Sequence, residues 1–261
     1  MTGRLAALLA FSLFAPSLAA QAPVTPDPHA VQPERPTVAT HAYTVAPGWA
    51  EVEAGLEFDR YRDASRGGSA PVLLKLGLAP RLQFDLSLPG IVPPGGSAAL
   101  GDIAVGAKWR AIASSPILGD FAVQPSVKLP TGARSSGAGT GTIDISILLI
   151  SSRHVGPVEM DLNLGYTRRS GNGTSVPRAA ALWTASFGGP LRGDFGWVVE
   201  CFGYPGTTGP AGAASMAAIL AGPTWLARKW LAFDAGVIVP LAGSQPRALY
   251  VGTVYNLGKA F

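Results

Sequence analysis

Charge is scarce in this chain. Asp, Glu, Lys and Arg make up 14% of its 261 residues, where a soluble domain carries roughly a quarter, so a large water-facing surface has too few groups to solvate it. Cysteine is nearly missing. Cys201 stands alone, which excludes an intramolecular disulfide and leaves hydrogen bonding or membrane burial to hold the fold. Long apolar runs are absent beyond the first twenty residues. The nearest, 212–227, is broken by Pro223 and stopped by Arg228 and Lys229, short of the roughly 18 apolar residues a spanning helix needs. Histidine is limited to His29, His41 and His154, and none has a serine or acidic partner at triad-like or metal-like spacing. That pattern argues against a lipase or other hydrolase and implies no cofactor. The glycine run 137–141 lacks the Gly-Lys-Ser/Thr of a phosphate cradle. Basic residues are scattered and the net charge is only +4, so nothing marks a nucleic-acid partner.

What is present begins with an address. Residues 1–20 carry Arg4, an apolar run from Leu5 to Phe14, then Pro16 and the small cluster Ser17-Leu18-Ala19-Ala20. This is the pattern of a cleaved secretory signal peptide. No cysteine follows it, which excludes lipoprotein processing. Residues 21–48 hold Pro23, Pro26, Pro28, Pro33, Pro36 and Pro47. A stretch with so few regular donors cannot join a ladder, so it reads as an extended periplasmic leader, with a plug in a barrel mouth as the alternative.

From Trp49 the chain alternates with period two, the signature of strands between unlike environments. In 49–59, Val52, Ala54, Leu56 and Phe58 oppose Glu51, Glu53, Glu57 and Asp59. In 71–78 the row Val72, Leu74, Leu76, Leu78 opposes Lys75. In 81–88 Leu82, Phe84, Leu86 and Leu88 oppose Asp85. The same segregation recurs in 102–111 against Lys108 and Arg110, in 121–129 against Lys128, in 142–149 against Asp144, and in 158–167 against Glu159, Asp161 and Asn163. It continues in 178–187, in 195–202 against Glu200, and in 231–239 against Asp234. Stretch 215–226 has no readable parity and is assigned a strand on topology alone. With 248–261 this makes about twelve strands of the length that spans a bilayer when tilted.

The connections alternate too. Short ones at 79–80, 114–119, 152–156, 188–193 and 227–229 separate longer ones at 60–70, 89–100, 130–140, 168–177, 204–213 and 241–247. Short periplasmic turns and long extracellular loops are the asymmetry of a transmembrane barrel. The reading is therefore an all-β, antiparallel up-and-down transmembrane barrel over 49–261. A soluble lipocalin-like barrel or sandwich, with the apolar rows inside, is the competing arrangement. Low charge and glycines on the polar face favour apolar-out.

The last stretch, ALYVGTVYNLGKAF, resembles the C-terminal signature of bacterial outer-membrane barrels. The resemblance implies that Tyr255, Leu257 and Phe261 form a signal read by the barrel assembly machinery, and that this strand closes against the first. Lys259 departs from the pattern by sharing the apolar parity, and can snorkel to an interface.

Longer stretches resemble a family of outer-membrane transporters named for the meta-pathway of phenol degradation. They are PERPTVATHAYTVAPGWAEVEAGLEF (33–58), LKLGLAPRLQFDL (74–86), GDIAVGAKWR (101–110), LPTGARSSGAGTGTIDISILL (129–149) and the following DLNLGYTRRSG. The resemblance implies an outer-membrane location, lipid as the surrounding partner and uptake of small aromatic or hydrophobic compounds. The candidate lumen-lining residues are then Glu51, Glu53, Glu57, Lys75, Asp85, Lys108, Arg110, Lys128, Asp144, Glu159, Asp161, Asn163, Glu200 and Asp234. Two functions fit them: walls of a passive permeation path, or a salt-bridged filling in a non-conducting barrel that presents its loops for structural or adhesive use.

Overall fold

The computed structural model describes residues 27–261; the expected signal peptide, 1–20, lies outside them. Thirteen strands follow in order: β1 Trp49–Arg60, β2 Arg66–Ala79, β3 Leu82–Val92, β4 Ala99–Leu100, β5 Ala104–Ser115, β6 Gly119–Lys128, β7 Asp144–Val155, β8 Val158–Arg169, β9 Ala179–Arg192, β10 Phe195–Tyr204, β11 Met216–Arg228, β12 Leu231–Ala242 and β13 Arg247–Lys259. Twelve are staves of one closed antiparallel barrel. Closure is made by β13 against β1, from Trp49 opposite Lys259 to Arg60 opposite Arg247. The thirteenth, β4, is a two-residue patch. β5 pairs with β3 only from Leu82–Trp109 to Ser87–Ala104, and β4 takes over the edge beyond it at Gly90 and Ile91.

The period-two rows decide which side faces what. Outward residues Phe58, Trp109, Ile145, Leu164 and Leu249 are each more than half exposed, whereas Lys75, Lys108, Glu51 and Glu200 are at 1% or less. This excludes the soluble arrangement. In water each exposed Leu or Phe forgoes about 1.5–3 kcal/mol of transfer energy, and in lipid it forgoes nothing. No helix among the described residues is long and apolar enough to cross a membrane. The twelve staves each pair with two neighbours around a closed ring, the arrangement by which strands satisfy their backbone groups in lipid.

Three details differ from the sequence reading. Strands run further than the alternation suggests: β2 starts at Arg66 because Gly67, Gly68 and Ser69 still pair with β1, and Gly68 and Ser69 also with β3, which shortens the first loop to 61–65. Likewise β9 continues to Arg192, leaving 193–194 as the turn. The unreadable stretch 215–226 is β11. Its inward residues Ala218 and Leu220 are apolar, and so are its outward ones, because this part of the lumen holds a hydrophobic cluster. Pro223 is tolerated because the β11–β12 pairing skips from Ala221–Val237 to Thr224–Asp234, where its missing N–H is not needed.

A lumen occupied by the leader: the candidate functional site

Residues 31–46 lie inside the barrel. The plain lead-in expected for 21–48 is thus replaced, over these residues, by a plug. The path enters at the short-turn mouth, where the Val31 N–H donates to the Lys229 carbonyl at 2.8 Å, and leaves where the Gly48 N–H donates to the Gly77 carbonyl at 2.8 Å. Between these points it rises to mid-barrel and turns back. The proline-rich segment has no ladder of its own, so its buried N–H groups need side-chain acceptors. Gln32 donates to Glu51 and Glu34 to Glu53, both at 2.8 Å. Val38 and Ala39 donate to the two oxygens of Glu200 at 2.8 and 2.7 Å. Thr40 exchanges two bonds with Asn163, Ala42 donates to Ser152 Oγ, and Val45 donates to Gln83 Oε1.

Charge completes the docking. Lys75, fully buried on β2, sits between Glu51 and Glu53 of β1 and also bonds the Gln32 carbonyl. Lys108 on β5 pairs with Glu34 of the leader and donates to the His41 carbonyl. Gln83 bridges Glu34 and Asp85, and Gln124 holds the other oxygen of Asp85. Arg35 crosses to the far side. Its guanidinium reaches Asp234 on β12 at 3.2 and 3.3 Å and lies over Gly55 and Gly252, which face each other on β1 and β13. A β-carbon at either glycine would overlap the guanidinium.

The fourteen candidate lumen residues all face inward, but at different levels. Glu51, Glu53, Lys75, Asp85, Lys108, Asn163, Glu200 and Asp234 surround the leader. Glu159 and Asp161 face a cavity of about 600 Å³ between the leader and β8–β12, open toward the short turns and shared with His41, Tyr43 and His154. Arg110 pairs with Asp120 and lies over the Tyr43 ring. Glu57 lies beside Asp59 above Arg35. Lys128 and Asp144 belong to the long-loop end, where Lys128 binds Asp102 and Arg169 binds Asp144. Asp102 also accepts from the Gly132 and Thr140 N–H groups. Burial alone would raise its carboxyl, but these donors and Lys128 hold it at about 2.

The lumen is also less uniformly salted than the alternation suggests. Above the leader on the β10–β13 side, Val198, Phe202, Leu220, Ile238 and Tyr250 form a buried apolar cluster with Val38 packed against it. Tyr250 lies flat on Gly222 and Gly236, where a β-carbon would collide with its hydroxyl. A second cavity of about 330 Å³ lies toward the long loops against β6–β9, bounded by Gln124, Leu148, Leu182 and Tyr204 among others.

Sequence reading missed Glu34, Arg35, Gln83 and Ser152 as lumen residues. A usable signal existed: inward acids outnumber inward bases, and Arg35 together with the unpaired leader N–H groups supplies what is missing. Nor did spacing reveal that His41 and His154 flank one ring, with centroids 5.3 and 6.5 Å from Tyr43. Among the described residues no three His, Cys, Asp or Glu side chains could hold a metal. At the terminus, Tyr255, Leu257 and Phe261 are exposed on the outer face, and the Ala260 N–H bonds the Gly48 carbonyl.

The family described as "Putative MetA-pathway of phenol degradation" matches residues 34–247, from the plug to the first residue of the last stave. The chain belongs to that family. Among solved structures it is similar to an outer membrane channel from Pseudomonas putida F1, with TM-score 0.66 and 12% identity over 83% of this chain and 98% of the other. It is also similar to the KdgM porin, with TM-score 0.55 and 12% identity over 78% of this chain and 98% of that one. No curated protein matches. At these identities the likeness establishes the fold, a closed barrel of the outer-membrane kind. The apolar exterior agrees with a place in that membrane.

Proposed function

We propose that the protein is a passive outer-membrane channel for small hydrophobic or aromatic compounds, with the leader as its resident constriction, and that it catalyses no reaction. The supporting observation is the two-sided lumen. Cavities of about 600 and 330 Å³ lie on either side of the leader, so the interior is not packed solid as in the smallest barrels. The wall above the leader is apolar (Phe202, Leu220, Ile238), which suits a greasy solute better than a hydrated ion. The candidate charges act chiefly to hold the constriction, and Glu159 and Asp161 line the approach from the short-turn side. Tyr255, Leu257 and Phe261 serve the assembly machinery in this reading.

Planar-bilayer conductance of the purified barrel, paired with uptake of a small aromatic compound by cells lacking it, tests the proposal. Channel activity predicts a small conductance that rises in a Glu34→Ala/Arg35→Ala variant, together with slower uptake on deletion. Absence of current in both proteins and unchanged uptake would assign the alternative, a non-conducting structural or adhesive barrel, which the dense docking of the leader favours.

A further inference from the structure

Three neighbouring staves end their outward face in arginine at the long-loop rim. Arg60 closes β1, Arg66 opens β2 and Arg247 opens β13, and the register sets Arg60 directly opposite both of the others. All three are exposed and share the parity of the lipid-facing row that includes Phe58 and Leu249. Directly opposed residues lie about 5 Å apart, and like charges so placed repel. Among the described residues none of the three guanidinium groups takes part in an ion pair, in contrast to Arg35, Arg110 and Arg169. The cluster is therefore costly until an anion joins it.

Beside it, on the same outer face, lies a groove of about 530 Å³ between β1, β2, β3 and β4. Leu56, Phe58, Val92 and Leu100 form its sides, and the cross-strand pair Ala70 and Gly90 keeps its floor low. The groove exists because β5 stops pairing at Ser87 and the short β4 replaces it. Its lining is mostly apolar and ends at the Phe58–Gly68 pair, and the next outward pair along the same two staves is Arg60–Arg66. A ligand that satisfies both features carries phosphate at one end and a hydrocarbon chain at the other.

We propose that this rim is a site for a phosphate-bearing lipid of the outer leaflet, with the phosphate held by Arg60, Arg66 and Arg247 and one acyl chain laid in the groove. Long loops mark the extracellular side, and the outer-leaflet lipid of that chemistry is the phosphorylated glycolipid lipid A. Guanidinium forks match phosphate oxygens in pairs, which a ring of lysines would not do. A free phosphate would leave the groove unused, and a soluble peptide would have to reach bilayer depth.

Binding to the full-length folded barrel in detergent tests this, with lipid A, dephosphorylated lipid A and inorganic phosphate as probes. Arg60→Gln/Arg66→Gln/Arg247→Gln is expected to weaken lipid A binding by about tenfold or more, the scale expected for removing three interfacial cations. Dephosphorylated lipid A should bind the wild-type barrel no better than lipid A binds the triple variant. Ala70→Phe, which fills the groove and keeps the arginines, should weaken lipid A severalfold. Circular dichroism and heat-shifted gel mobility report that each variant is folded. Unchanged lipid A binding by either folded variant overturns the site, as does displacement of lipid A by millimolar inorganic phosphate, which would make the rim a simple anion patch.

Discussion

Arg35 of the leader lies over Gly55 and Gly252, which face each other across the seam where the last stave closes on the first. The same guanidinium reaches Asp234 on the next stave. One side chain of the plug therefore spans β1, β13 and β12, and the room for it exists only because both seam residues lack a β-carbon. Barrel closure and plug docking share this slot.

Gly252→Val fills that slot. The barrel should still fold, since valine suits a strand, but Arg35 loses its seat and its contact with Asp234. The expected outcome is a larger single-channel conductance and new cleavage after Glu34 by a glutamate-specific protease in the folded protein. A conductance and cleavage pattern identical to wild type would show that Arg35 does not anchor the leader.

Glu200→Ala removes the acceptor for two leader N–H groups, those of Val38 and Ala39. Leaving a buried donor unpaired costs about 1–3 kcal/mol each, so the tip of the plug should open more often. Amide hydrogen exchange at residues 38 and 39 measures this. Protection there should fall by at least tenfold, while the amides of the barrel seam keep theirs.

Asp102 gathers Lys128, Gly132 and Thr140 and ties the 129–143 loop to the β4–β5 connection. Its carboxyl is held at about 2, below the ordinary 3.8. The sign follows from linkage: a depressed folded value gives stability that is complete above the unfolded value and lost as pH falls through the folded one. The loop should stay latched down to about pH 4 and release as pH drops toward 2. The amide NMR shifts of Gly132 and Thr140 should titrate together with that midpoint, and Asp102→Asn should abolish the titration.

Leu164 on β8 faces lipid and is 63% exposed. Leu164→Arg places a cation on the lipid face of a stave, where the cost is roughly 2–4 kcal/mol near mid-membrane. Denaturant unfolding from lipid vesicles should register a loss of that size. Gln124→Arg, on an inward face of β6, should cost less because it points into the lumen beside the Asp85 carboxylate that Gln124 already meets. Equal losses would mean that the assignment of the two faces is wrong.

Strand number, the two-solvent faces and the alternation of short and long connections were legible because they are local. A period of two shows within eight residues, and a turn shows in its own glycines and prolines. β11 was illegible for the same reason in reverse: Ala218 and Leu220 face a lumen wall that is itself apolar, so inside and outside carry the same residue types and the alternation vanishes. The candidate lumen residues were found by parity. Their work was not, since the acceptors Glu51, Glu53, Glu200 and Asn163 bond donors more than a dozen residues away, and for Glu200 and Asn163 more than a hundred.

The sequence by itself determined about twelve strands with one greasy and one charged face, because a period of two leaves its mark on nearly every strand; that the grease faces outward was decided by the exposure of Phe58 and Leu164 and the burial of Lys75 and Glu200. Only the tertiary structure decided what fills the barrel. A proline-rich segment looks the same outside or inside, and what draws it in is a set of acceptors on separate staves that converge on its N–H groups only once the sheet has closed.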